Sequence, residues 1–241
     1  LAAVVIRGLT GSEGLIKSTE IAAEDYNITS YKEQVEQQVR GIIIEHATIG
    51  EEISETEIAD ELDEETIWIK SAVAYTDESV TNKDILVTVT DGYVYQVYYN
   101  NLYGVVFVEY VGKDDGKAFP TIKTEYEKSY ASIKVNTNDT EGAIERTELI
   151  YRGEIKDTKQ TPTEQFLFDV ENIGTGWHVM RSISSTGKMR YAWERVSTVS
   201  EKLPTPTIVL NPSSPQGGEG WYNTEVEVSI VADLPSGASI Y

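Results

Sequence analysis

His46 and His178 are the two imidazoles in the 241-residue chain, and neither stands near a serine or aspartate pattern that would make it a catalytic base. No Gly-x-Ser-x-Gly, His-Glu-x-x-His, phosphate-loop or dinucleotide fingerprint occurs. Cysteine is absent, which removes disulfides, zinc ribbons, iron–sulfur clusters, c-type haem attachment and a thiol nucleophile. Carboxylate pairs such as Asp114/Asp115 follow from composition and carry little information. Residues 136–141 offer side-chain oxygens for calcium but miss the EF-hand spacing, so they read as a turn. His46 falls near the end of a helical stretch, where a cation opposes the helix dipole. His178 falls in a strand beside Trp177. The expectation is therefore a non-enzyme with no catalytic residue, no metal and no cofactor.

Acidic residues outnumber basic ones 40 to 20, giving a formal net charge of −20. Binding to nucleic acid or to an anionic lipid surface needs clustered Lys and Arg, so both are disfavoured and no nucleic-acid partner is expected. No run approaches the roughly 18 apolar residues of a membrane-spanning helix. The 15 tyrosines suit strands rather than charge transport along a filament. A Lys–Asn isopeptide bond would need a buried lysine, an amide or carboxylate and an acid in contact.

These residues must be held by elements of three kinds. Ile21, Ile28, Tyr31, Val35, Val39 and Ile42 recur at helical spacing with charged residues between them, which predicts a helix over 15–47, roughly 50 Å long at ~1.5 Å per residue. Residues 1–14 differ. Leu1 to Ile6 is apolar all round, and Gly8, Gly11 and Gly14 follow at spacing three. Residues 51–65 hold nine acidic residues and no basic one; Ser54-x-x-Glu57 is a capping box, and a short helix is expected over 55–63.

A β-meander is expected over 84–111. Ile85, Val87 and Val89 alternate with Leu86 and Thr88, Asp91-Gly92 has the composition of a type I′ turn, and Tyr93 to Tyr99 alternates again before Val105 to Val111. A further strand precedes it near 66–75. Lys113 to Gly116 and Pro120 read as a linker. Short strands at 132–136, 143–151, 165–170, 177–182 and 189–199 then predict a β-sandwich over 120–201. Leu203-Pro204-Thr205-Pro206 is a second linker, and 205–241 reads as the start of another such module, incomplete.

Leu1-Ala2-Ala3-Val4-Val5-Ile6 running into Arg7-Gly8-Leu9-Thr10-Gly11-Ser12-Glu13-Gly14-Leu15-Ile16 resembles the later half of the N-terminal segment of type IV pilins and pilin-like proteins of Gram-positive bacteria. That family's order of apolar stretch, long helix and antiparallel sheet matches residues 1–112. The family's processing site and its glutamate lie upstream of Leu1, so no processing residue is carried over, and the chain reads as part of a longer one. Residues 120–200 resemble a bacterial immunoglobulin-like module, with Asn138 to Ile144 like the turn after its second strand. Asn211 to Pro215, Gly220-Trp221-Tyr222 and Gly237 to Tyr241 resemble the opening of another.

The resemblance implies an α+β pilin-like domain, a long helix packed on a meander, over 1–115, followed by immunoglobulin-like sandwich modules. It implies a structural subunit of an extracellular, cell-surface filament of the type IV pilus kind. Leu1, Val4, Val5, Ile6 and Leu9 would pack in the filament core, and Gly8, Gly11 and Gly14 would let the helix unwind on assembly. Its partners would be copies of itself and the pilus assembly machinery. The alternative is a cell-surface adhesin or carbohydrate-binding protein with the helix as membrane anchor. There a host-surface or carbohydrate ligand would meet exposed aromatics such as Trp177, Trp193, Trp221 and Tyr222.

Overall fold

Helix α1, Ser12–Ile49, has 38 residues and so runs about 57 Å. The computed structural model that contains it describes residues 12–75, 84–161, 165–197, 207–214 and 222–231. Leu1, Val4, Val5, Ile6, Leu9, Gly8, Gly11 and Trp221 lie outside the described residues, and Gly14 lies inside α1. Among the described side chains, the apolar stripe is covered from Ile28 to Ile42. Val35, Val39 and Ile42 are core residues and Ile28 and Tyr31 pack against them, whereas Ile21 is 51% exposed and Tyr26 72%.

Length explains the difference. The sheet beneath α1 consists of β1 (Ile69–Tyr75), β2 (Asp84–Val89), β3 (Tyr93–Asn100) and β4 (Val105–Lys113), an antiparallel meander in the order β1-β2-β3-β4. Strands of six to nine residues reach only about 20–30 Å at ~3.3 Å per residue. At about 57 Å, α1 is therefore about twice as long as the strands beneath it. The covered half is fixed by polar contacts as well. Tyr95 Oη donates to the Ile28 carbonyl at 3.0 Å, Tyr31 Oη donates to Asp91 at 2.8 Å and Lys32 pairs with Glu109 at 2.9 Å.

Helix α2, Glu55–Glu65, closes one end of this core with Ile58 and Leu62, both fully buried. Its capping box is formed: Ser54 N donates to Glu57 Oε2 at 2.8 Å, and Glu57 N donates back to Ser54 Oγ at 3.3 Å.

Asp91-Gly92 makes a different turn from the type I′ expected. Only Gly92 has a positive φ (80°), and Gly92 N donates to the Val89 carbonyl at 2.8 Å. Thr88 pairs with Val94, so the tip is the longer loop that ends in a left-handed glycine. The two-residue turn stands elsewhere. Arg152 (φ 52°) and Gly153 (φ 79°) join β7 (Ile144–Tyr151) to β8 (Glu154–Gln160).

Strands β7 and β8 belong to a four-stranded sheet in the order β11-β10-β7-β8, with β10 Gly176–Ser184 and β11 Met189–Val196. A three-stranded sheet faces it in the order β5-β6-β9: Thr121–Glu127, Ser132–Asn138 and Gln165–Asp169. Ile122, Ile133, Val135, Phe168 and Val170 pack against Leu149, Met180, Ala192 and Val196 between them. Two of these strands were not anticipated. In β5 only Ile122 and Thr124 are well buried among polar residues, and β8 is a polar edge strand with no buried residue. Beyond them, β12 (Thr207–Asn211) and β13 (Glu227–Val231) form an antiparallel ladder.

The two halves of α1 should respond differently to substitution. Leu62→Ala, like Val39→Ala, opens a cavity in the core under α1, and Leu62→Ala should cost about 2–5 kcal/mol in urea unfolding. Ile21→Ser on the overhang should stay within about 0.5 kcal/mol of wild type.

Candidate functional site

Strand β3 reads Tyr-Val-Tyr-Gln-Val-Tyr-Tyr-Asn, and every residue from Tyr93 to Tyr99 is buried, as is every residue of β2. A sheet covered by a helix on one face alone would expose alternate residues. Here the second face is covered too. Leu86, Val94, Tyr98 and Val111 meet Tyr191 and Trp193 of β11, with Phe107, Phe119, Trp177, Val179 and Met189 packed around them. Tyr98 stacks on Trp193 with ring centroids 5.3 Å apart and planes 8° apart, and Phe107 stacks on Trp193 at 5.7 Å. At the rim, Trp177 meets Tyr103 edge-on at 5.6 Å, and Arg195 lies 4.3 Å over the Tyr103 ring.

Inside this apolar seam sits a polar clasp. Gln96 is fully buried, and its Oε1 accepts from Tyr191 N at 2.8 Å while its Nε2 donates to Tyr191 O at 2.8 Å. Strand β11 is a sheet edge, so one side chain from the other sheet satisfies the outward backbone pair that an edge leaves open. Gln96 Nε2 also donates to Asp84 Oδ2. Arg190 Nη2 reaches Asp84 Oδ1 at 2.6 Å, with both side chains 2% exposed. Burial pushes the Asp84 carboxyl up to about 6, against the pull of the Arg190 guanidinium.

The segment between the two units is tied down by a second buried cation. Lys188 Nζ donates to the Lys117 carbonyl at 2.5 Å, pairs with Asp115 at 2.5 Å and lies 4.4 Å over the Phe119 ring. Gly112, next to the bulge at Val111 in β3–β4 pairing, packs against Lys188 and Phe119 with a φ of 137° that L side chains rarely adopt. Lys188 is the buried lysine that an isopeptide bond would require, but its partner Asp115 is half exposed, so the contact stands as an ion pair. Above the seam, burial alone would raise the Glu148 carboxyl, but Arg146 at 2.8 Å and Arg181 at 2.8 Å hold it low.

The residues singled out from sequence fall outside this clasp. His46 Nε2 sits 2.6 Å from Glu61 Oε1 and joins α1 to α2; that hydrogen bond raises its pKa. His178 is buried in the sandwich, stacked 4.6 Å from the Tyr151 ring, and burial lowers its pKa. Asp139 accepts from Glu141 N at 2.9 Å within its turn and from the hydroxyl of Ser184 at the end of β10. Among the described residues no His/Asp/Glu cluster has metal-binding geometry.

A Trp in a sandwich strand is usually core, and so it is here: Trp193 is buried in the seam and Trp177 is half-buried at its rim, because each covers the meander's second face, so neither is the exposed aromatic that the carbohydrate-binding alternative would need. Tyr222 is half-buried. Asp84, Gln96, Lys188 and Arg190 were not anticipated. Their signal was a lone amide, Gln96, interrupting an otherwise apolar strand; a buried amide must find partners.

Compared with family models, curated proteins and solved structures, the chain matches none of them.

The clasp makes two predictions. Arg190→Met strands the buried Asp84 carboxylate and should cost about 3–5 kcal/mol, while the double variant Asp84→Leu/Arg190→Met should regain most of it in urea unfolding. The pH profile separates two of the buried titrating groups, His178 and Asp84. His178 takes up its proton later in the folded state than in the unfolded chain, so its contribution is lost as pH falls below 6.5. Asp84 has the opposite sign: its folded carboxyl protonates first, so the fold gains as pH falls from about 6 toward 3.8. Between pH 7 and pH 5, His178→Gln should lose less stability than wild type and Asp84→Asn more.

Proposed function

We propose that this chain is a structural subunit of an extracellular, cell-surface filament of the type IV pilus kind. The observation that carries the reading is the overhang of α1. Among the described side chains of this 38-residue helix the apolar stripe is covered from Ile28 to Ile42 and continues onto an exposed Ile21. An apolar stripe with no cover in its own molecule is satisfied by neighbouring copies. The sequence before it, Leu1 to Ile6, is apolar all round and extends the same logic.

The three-over-four strand order of the sandwich, β5-β6-β9 facing β11-β10-β7-β8, supports the immunoglobulin-like reading of residues 120–201. The meander between α1 and the sandwich supports the pilin-like reading of residues 1–115. In this reading α1 and the segment before it pack in the filament core and the sandwich is displayed outside. The partners are other copies and the assembly machinery that adds them. No helix among the described residues is long and apolar enough to cross a membrane.

The test is a single substitution in the native cell. Val5→Asp places a charge in the proposed core, and filaments seen by electron microscopy of sheared cell surfaces should disappear. The purified variant should keep the wild-type melting temperature, because in this reading Val5 packs against other copies in the filament and not in the core of its own subunit. Filaments of normal yield from Val5→Asp would overturn the proposal.

A further inference from the structure

A sheet edge left open is a template for another strand unless something blocks it. Most edges of this chain are blocked. Gln96 occupies the edge of β11. Lys32 and Arg40 of α1 reach over β4, Lys32 to Glu109 at 2.9 Å and Arg40 Nη2 to the Val106 carbonyl at 3.5 Å. Strands β8 and β5 are lined with charge, Lys156 and Lys159 on the first and Lys123 and Glu125 on the second. Strand β9 is different. It reads Gln-Phe-Leu-Phe-Asp, with no lysine, no proline and no bulge in its register with β6. Its sheet ends there, in the order β5-β6-β9, and among the described residues no strand pairs with its outer side.

The ladder fixes what that side presents. Val170 N donates to the Ala131 carbonyl at 2.8 Å, one step beyond the pairing of Asp169 with Ser132. In an antiparallel ladder the residues that bond to one neighbour alternate along the strand. Phe168 and Phe166 therefore bond to β6, and the N–H and C=O of Leu167 point away from it. The Leu167 side chain stands on the outer face, 51% exposed, opposite Lys134. A groove of about 520 Å³ lies there, lined by Glu127, Lys134, Gln165, Phe166 and Leu167.

We infer that β9 pairs with β9 of a second copy of this chain, antiparallel about a two-fold axis at Leu167. The strand is self-complementary in that register. Leu167 meets Leu167 of the second copy as a hydrogen-bonded pair, each N–H donating to the other's carbonyl, with Cα atoms about 5.5 Å apart. Asp169 falls opposite Gln165 of the second copy, so no like charges meet across the new ladder. The exposed leucines cover each other, and the sheet becomes continuous through both copies. A contact centred on a five-residue strand falls well short of the roughly 20–30 residues a side of a standard interface, so the pair is weak. The formal charge of −20 on each chain opposes it further, and salt relieves that repulsion. This stands on β9 alone and does not depend on the filament reading. On any surface crowded with copies, such weak pairs would add.

The test is sedimentation equilibrium of the whole chain. The wild type should dimerise with a dissociation constant of about 100 µM in about 0.5 M salt, and at least about threefold more weakly in about 0.05 M salt. Leu167→Glu keeps an attractive neighbour in Lys134 but faces a second carboxylate across the axis. It should stay monomeric at about 500 µM with an unchanged melting temperature.

Cross-linking reads the register. The chain has no cysteine, and Cα atoms about 5.5 Å apart fall inside the disulfide range. Leu167→Cys should oxidise mostly to a covalent dimer, whereas Ile44→Cys, 62% exposed on α1, should do so at least about tenfold more slowly. A wild type that stays monomeric at about 500 µM in either salt would leave the edge to a strand of another protein and overturn the inference. So would wild-type dimerisation of Leu167→Glu, or equal cross-linking rates for the two cysteine variants.

Discussion

Everything in the arrangement of the two units depends on Gln96, one buried amide that finds all its partners. Its two hydrogen bonds to Tyr191 replace a missing neighbouring strand at the edge of the sandwich, and its third engages Asp84, which holds Arg190. Buried polar groups reward one geometry and penalise the rest. A shift of a single residue along β11 would leave an amide, a carboxylate and a guanidinium unpaired in an apolar seam. The aromatic stack of Tyr98, Phe107 and Trp193 supplies favourable burial but little register, since flat rings slide over one another at small cost. Adhesion comes from the rings and position from the clasp.

The meander is thereby made into a middle layer. Helix α1 covers one face through Val35, Val39 and Ile42, and the sandwich covers the other through Tyr191 and Trp193. A sheet covered on both faces has no solvent side, which is why β2 and β3 lack the polar alternation of a one-sided sheet. The segment at 113–119 would otherwise be a flexible tether. The buried ammonium of Lys188 pins it through the Lys117 carbonyl, Asp115 and the Phe119 ring, so chain connectivity and surface contact enforce the same orientation.

The elements were legible in the sequence where one local rule was enough. The 3.6-residue stripe from Ile28 to Ile42 gave α1, the Ser54–Glu57 box gave the start of α2, and alternation from Ile85 to Val111 gave the meander. Strands β5 and β8 were hidden because one has only two well-buried side chains and the other, at a sheet edge, has none. The clasp was hidden for a different reason. Asp84 and Arg190 are 106 residues apart, and a single sequence records neither their pairing nor their burial. What it does record is strain against the pattern: Gln96 is the residue that an exposed strand face would tolerate and a buried one must explain. Reading β3 as covered on both sides, from its density of aromatics, would have turned that amide from a surface residue into a question about its partner.

Rigidity and overhang together bear on the filament reading. If copies meet through the uncovered half of α1, the sandwich is carried outward at a fixed angle, because the seam leaves the meander and sandwich little freedom to hinge. Each copy also carries a formal charge of −20. Like-charged surfaces repel strongly within a Debye length of about 8 Å at physiological salt and weakly beyond it. The broad faces of the displayed modules would therefore avoid lateral packing on one another, while the apolar helical segments, which carry the attraction, would have to be shielded in the interior. Attraction confined to one end of an elongated subunit and repulsion at the other favour an open helical array over a three-dimensional aggregate.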